Sequence, residues 1–195
     1  MSRVLERSFS LGHAAPVTTL GGVDESRLRQ VVSQHFDVLW RFLRRLGIAE
    51  CDTDDAIQEV VLVLARKLDQ VEVGSERSFV FSTAVRVASG FRRTLRNRRE
   101  VGVEEAGLAE LESPPELGPE ALAEKQRLRA VLQQVLNELP MELRSVFVLY
   151  ELEELTMVEI AKTLELPPGT VASRLRRSRE LFEGMAARAV ERMES

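Results

Sequence analysis

Twenty consecutive residues near the middle of the chain, Val101–Glu120, contain no Lys or Arg and include Gly102, Gly107, Gly118, Pro114, Pro115 and Pro119. A stretch so rich in helix breakers and so poor in large apolar side chains cannot bury a core. A structureless loop of that length is improbable inside one compact domain. The sequence therefore predicts two small domains joined by a flexible acidic linker over 101–123. A domain at 24–100 precedes it, one at 124–187 follows, and a tail occupies 188–195. Residues 1–23 carry no comparable pattern and are expected to form a disordered N-terminal extension.

Both flanking segments have helical periodicity. In the first, Leu28, Val31, Val32, Phe36, Leu39, Phe42, Leu43 and Leu46 recur at three- and four-residue steps, so an amphipathic helix should run from Asp24 to Leu46 and stop at Gly47. Asp52 or Thr53 is the expected cap of a second helix, with Ile57, Val60, Val61, Leu64 and Leu68 inward. A third helix from about Glu76 turns Phe79, Val80, Ala84, Val87, Phe91 and Leu95 inward. In the second segment, Lys125–Leu139 reads as a helix through Leu128, Val131, Leu132, Val135 and Leu136, and Pro140 interrupts it. Leu143, Val146, Phe147 and Tyr150 mark the next. Thr156-Met157-Val158-Glu159 has the form of a capping box. After the turn Glu165–Gly169, a last helix spans Thr170–Phe182. The expected fold is all-α, and only 5% aromatic residues agrees with that.

The net charge of −4, taken as an average, speaks against a nucleic-acid partner. Its distribution does not. Residues 101–128 contain seven acids and two bases, whereas Arg86, Arg92, Arg93, Arg96, Arg98 and Arg99 fall in a run with no acid. Such a run exceeds what a helix C-terminus needs and suits phosphate contact. Arg174, Arg176, Arg177 and Arg179 form a second bunch. The order of short capped helix, tight turn and Arg-bearing helix is that of a helix-turn-helix, whose second helix presents its first residues to base edges. Thr170, Ser173, Arg174 and Arg177 share one face by spacing. An acidic row, Asp52, Asp54, Asp55, Gln58 and Glu59, opens the second helix. A capped helix with a solvated face explains it simply; a docking face for a basic partner is the functional alternative.

These residues resemble the extracytoplasmic-function (ECF) group of sigma factors of bacterial RNA polymerase. Asp52-Thr53-Asp54-Asp55-Ala56-Ile57-Gln58-Glu59-Val60 is similar to that family's polymerase-binding motif. Leu139-Pro140, Arg144, Val146-Phe147 and Leu149, then Glu159-Ile160-Ala161, then Gly169-Thr170-Val171, Ser173-Arg174-Leu175, Arg177 and Arg179 resemble its promoter-binding helix-turn-helix. The family has Phe, Trp and Asn where this chain has Val61, Phe79 and Arg86. The resemblance spans about 27–185 and implies a division of labour. Asp52, Asp55, Gln58, Glu59 and Leu62 would dock on the coiled coil of the largest subunit of core RNA polymerase. The loop Gln70–Ser78 and the Arg86–Arg99 run would bind and melt the −10 element of promoter DNA. Thr170, Ser173, Arg174, Arg176, Arg177 and Arg179 would read the −35 element. An anti-sigma factor is implied as a further partner.

Three other classes stand beside this reading: a two-domain regulator acting without polymerase, a helical protein-binding adaptor, and an enzyme. The last is the weakest, because no Gly-rich phosphate loop or nucleophile–base set is present. One cysteine, Cys51, and two histidines leave little for a metal site, so neither metal nor other cofactor is expected. No apolar run reaches membrane-spanning length and no signal peptide is recognisable, so no membrane insertion and a cytoplasmic location are expected.

Overall fold

Seven α-helices make up the fold in the computed structural model, which describes the backbone of residues 25–100 and 119–194 and most side chains among them. They are α1 (Glu25–Arg45), α2 (Glu50–Lys67), α3 (Glu76–Glu100), α4 (Pro119–Glu138), α5 (Met141–Phe147), α6 (Met157–Leu164) and α7 (Pro168–Glu194). A 3-10 turn, Leu68–Gln70, follows α2, and one π turn, Val148–Leu152, follows α5. The N-terminal extension and linker residues 101–118 lie outside the described residues.

Helices α1, α2 and α3 close on one another around Phe42, Leu43, Leu46, Val60, Leu64 and Ala84. Phe42 and Phe81 meet edge-to-face with ring centroids 4.7 Å apart, a geometry favoured by the aromatic quadrupole. Helix α1 ends as the sequence predicts. Gly47 takes φ +92, a left-handed conformation that favours glycine, and the Gly47 and Ile48 amides donate back to the carbonyls of Arg44 and Leu43. The expected cap of α2 is corrected. The helix begins at Glu50 with Ala49 as its cap residue and no side-chain cap. Thr53 is buried one turn inside, and its hydroxyl donates to the Ala49 carbonyl at 2.7 Å.

Helices α4 to α7 form the second half, with α5 against α7, α4 along α7, and α6 across α7. The capping box at α6 is complete. The Glu159 amide donates to the Thr156 hydroxyl, and the Thr156 amide donates to the Glu159 carboxylate at 2.8 Å. Those bonds to Thr156 backbone and side chain hold the Glu159 carboxyl below its ordinary range. Glu165 leaves α6 in the left-handed region at φ 55, and Pro168 opens α7, where a missing N–H costs nothing. Helix α4 starts earlier than Lys125. Helix α7 passes Phe182 and runs through the segment expected as a tail, burying Met185 and Ala189. Leu128, expected to face inward, is exposed.

The two halves are docked. Their buried side chains form one continuous cluster, and α3 packs on α6 while α1 touches α4. Among the described residues no helix is long and apolar enough to cross a membrane. Phe42→Ala should lower the unfolding free energy by about 3–5 kcal/mol in urea titration, because it empties a fully buried site. Leu128→Ala should change it by about 0.5 kcal/mol or less.

Candidate functional site

Helix α2 separates its two faces cleanly. Thr53, Ala56, Ile57, Val60 and Leu64 are buried, so the three- and four-residue steps turn Asp55, Gln58, Glu59 and Leu62 into solvent, with Asp52 half-buried. Leu62 is 46% exposed, an apolar side chain at the end of an acidic row. Among the described residues Asp52, Asp55 and Glu59 make no ion pair. They form one wall of a cleft of about 640 Å³ whose other wall is α3, through Arg86, Gly90, Phe91, Arg93 and Thr94. The acidic row and part of the Arg run thus face each other across one groove.

The Arg run is not one surface. Arg86 and Arg93 line the cleft, and Arg86 also pairs with Glu165 at 2.6 Å. Arg92 points to the other side of α3, with Nη1 4.0 Å from the Met141 sulfur in α5. The helix period separates these side chains although they are adjacent in sequence. The side chains of Arg96, Arg98 and Arg99 lie outside the described residues, on the last turns of α3.

The loop that joins α2 to α3 is held by a residue that periodicity does not single out. Arg27, on the first turns of α1, donates to the carbonyls of Leu68 (3.1 Å) and Val71 (2.8 Å) and to the Glu76 carboxylate (2.7 Å). The other Glu76 oxygen accepts from the Gly74 amide at 2.6 Å, and Gly74 takes φ +89. Arg27 is the first cause that holds the Glu76 carboxyl below its ordinary range. The loop is fixed at its base, and its tip presents Val73, 89% exposed.

Helix α7 buries Val171, Leu175 and Ser178. That places Ser173, Arg176, Arg177 and Arg179 in solvent, with Thr170 and Arg174 half-buried. The capping box of α6 and Pro168 of α7 set the short helix, turn and long helix in register. The four arginines differ in their partners. Arg176 and Arg177 share Glu180 at 2.7 and 3.5 Å. Arg179 pairs with Glu151 at 2.6 Å and lies over the Tyr150 ring at 5.0 Å, and the bond to Glu151 raises its pKa. Arg174 has no ion pair among the described residues. Glu151 and Tyr150 come from the π turn, 28 and 29 residues upstream, which no local spacing reveals.

Sequence and fold are both similar to those of known proteins. Residues 129–182 match the family described as Sigma-70, region 4. Over 160 residues, 82% of this chain, the sequence is 31% identical to the ECF RNA polymerase sigma factor SigE of Mycolicibacterium smegmatis, and it spans 61% of that relative's length. It is 31% identical over 138 residues to the ECF RNA polymerase sigma-E factor of Escherichia coli, covering 68% of this chain and 72% of that protein. The fold is that of the sigma factor RpoE of Bartonella quintana, solved with the anti-sigma factor NepR: TM-score 0.62, 20% identity, 82% of this chain and 96% of that one. CnrH, solved with the cytosolic domain of CnrY, gives TM-score 0.58 at 21% identity over 83% of this chain and 88% of that one. The α2 and α7 surfaces therefore sit on the scaffold of a sigma factor. The chain belongs to the ECF RNA polymerase sigma factor family.

Glu76→Gln tests how the loop is held. A carboxyl with a depressed folded pKa adds stability that is present above its unfolded value, about 4.5, and is lost as pH falls through the folded value. The variant should be less stable than the parent by about 1–2 kcal/mol at pH 7. That difference should shrink in urea titrations carried at progressively lower pH, as the Glu76 carboxyl of the parent becomes protonated.

Proposed function

We propose that this chain binds core RNA polymerase through α2 and directs initiation at promoters whose −10 and −35 elements it reads with α3 and α7. The observation that carries this is the exposed row Asp55, Gln58, Glu59 and Leu62, without an ion pair among the described residues, in the same chain as a helix-turn-helix whose first helix carries a complete capping box. An acidic row with one apolar residue at its end fits a basic, partly apolar protein surface; the coiled coil of the polymerase's largest subunit is the surface proposed. A regulator working without polymerase has no use for that row, and the family match disfavours it.

Within this reading Arg174 is the principal base- or phosphate-contacting residue of α7, with Thr170 and Ser173 beside it. Arg176, Arg177 and Arg179 are poised by carboxylates that phosphates would replace. Arg86, Arg93 and the end of α3 would meet the −10 element, and the loop pinned by Arg27 would offer its tip to melted DNA. Work on polymerase makes the protein cytoplasmic. An anti-sigma factor is the natural negative partner, as the sigma factor RpoE of Bartonella quintana was solved with the anti-sigma factor NepR.

Two variants separate the roles. Asp55→Lys with Glu59→Lys should reduce retention by immobilised core polymerase at least tenfold. Arg174→Ala should lower −35-dependent initiation by about 5- to 100-fold, the effect of one or two lost base or phosphate contacts, with polymerase retention unchanged. Loss of polymerase retention in Arg174→Ala would overturn the assignment.

A further inference from the structure

The loop between α2 and α3 takes its shape from a different helix. Its residues 71–75 read Val-Glu-Val-Gly-Ser and hold no Lys or Arg. Glu72, Val73 and Gly74 are exposed, and a Cβ added at Gly74 would meet nothing within 4 Å. Within the loop, the Ser75 amide donates to the Glu72 carbonyl and the Val71 amide to the Leu68 carbonyl, each at 3.0 Å. The tie to the rest of the fold runs through Arg27 of α1. Its planar guanidinium spreads over the Leu68 and Val71 carbonyls, where the loop begins, and the Glu76 carboxylate, where it ends. Glu76 passes the constraint on, because its second oxygen accepts from the Gly74 amide in the tip. Arg27 and Glu76 are only 22% and 17% exposed, so water competes little for these bonds.

We propose that Arg27 is a positioning residue for promoter recognition: through Glu76 it holds the tip 72–74 in the one shape that discriminates a base of the −10 element, without itself touching DNA. The proposal rests on the sigma-factor reading. The chemistry of the tip points to a base and not to the backbone. Phosphates are drawn by Lys and Arg. The tip offers instead Glu72, a carboxylate that accepts hydrogen bonds and repels phosphate, and Val73, an apolar side chain. Base edges and methyl groups are what such a pair can tell apart. Discrimination also demands fixed geometry. A mobile tip would fit several bases about equally and lose ordering entropy on each. The fork of Arg27 is suited to the task and Lys is not. A lysine keeps the charge, but its single ammonium head cannot lie in one plane against two carbonyls and a carboxylate.

The test is abortive initiation by the full chain with core polymerase, on a promoter the parent transcribes and on a panel with each −10 and −35 base pair changed singly. The readout is the ratio of initiation on the original promoter to that on each changed one. Arg27→Lys should lower the ratio at one −10 position by about fivefold or more, the smaller end of what one base contact contributes. Its −35 ratios and its retention on immobilised core polymerase should stay at the parent's values. Gly74→Ala is the second arm. It disturbs the left-handed tip, φ +89, with no neighbour to strike, and should lower the ratio at the same position. Arg27→Lys combined with Glu76→Gln should lower it no further than the stronger single change, as one coupled unit requires. Hydrogen exchange of both single variants should be faster at residues 71–75 and unchanged in α7, which separates a released tip from a damaged fold. Parent-like −10 ratios in both variants overturn the proposal and leave the sigma-factor reading standing. Equal losses at −10 and −35 positions overturn it too, because they report general damage. If the parent itself gives no chain-dependent initiation, the sigma-factor reading falls, and the proposal with it.

Discussion

A guanidinium buried at the end of a helix, with carbonyls in place of a carboxylate, is the constraint on which this architecture depends. Burial holds the Arg144 pKa well below that of a free guanidinium, at about 9, and nearby Arg92 pushes it the same way. Such a cation is costly away from water, the more so because its Nε is buried without an acceptor, so the bonds from Nη1 and Nη2 must offset the cost. Four of the surrounding facts follow from that cost. Gly47 has no Cβ, the carbonyls of Leu46 and Leu139 converge, Asn137 turns its oxygen inward, and α5 lies against the end of α1. Without α1 the same side chain would need water or another acceptor, so the buried state of Arg144 and the docking of the halves are one event.

That junction leaves both functional faces partly intact and partly engaged. The outward row of α2 is separate from it. Four of the α3 and α7 arginines are held by carboxylates of the chain itself: Arg86 by Glu165, Arg179 by Glu151, and Arg176 and Arg177 by Glu180. Exposed ion pairs of this kind are individually weak, about 0–1 kcal/mol, and salt screens them. They orient the guanidinium groups while leaving exchange for phosphate oxygens inexpensive. The overall charge of −4 is therefore a poor guide to what the surfaces do, because acids concentrate at 101–128 and the cations concentrate on two helices.

Local chemistry was legible where one residue and its near neighbours decide the outcome. The end of α1 at Gly47, the Thr156–Glu159 capping box and Pro168 at the start of α7 all read directly from spacing and conformational preference. The start of α2 did not, because Thr53 is a good cap by type but is buried one turn inside the helix. Phe81 went unselected for the core because it adjoins Val80, and only its meeting with Phe42 gives it a buried side. Arg144 sits in the stretch that matches Sigma-70, region 4, and reads there as an ordinary motif position. Its acceptor at Leu46 lies 98 residues away, and no periodicity carries information over that separation. The same holds for Arg27, whose carbonyl and carboxylate partners are 41 to 49 residues distant. In the candidate site, residue types and faces were readable; which arginines are already paired was a matter of tertiary contact.

Helices α2 and α7 are proposed to serve one polymerase-dependent event. Run-off transcription with core RNA polymerase and this chain, followed by sequencing of the transcript starts, tests it most directly. The expected starts depend on the added chain and share two upstream elements, one near −10 and one near −35. No chain-dependent transcripts, or starts that share neither element, would contradict it.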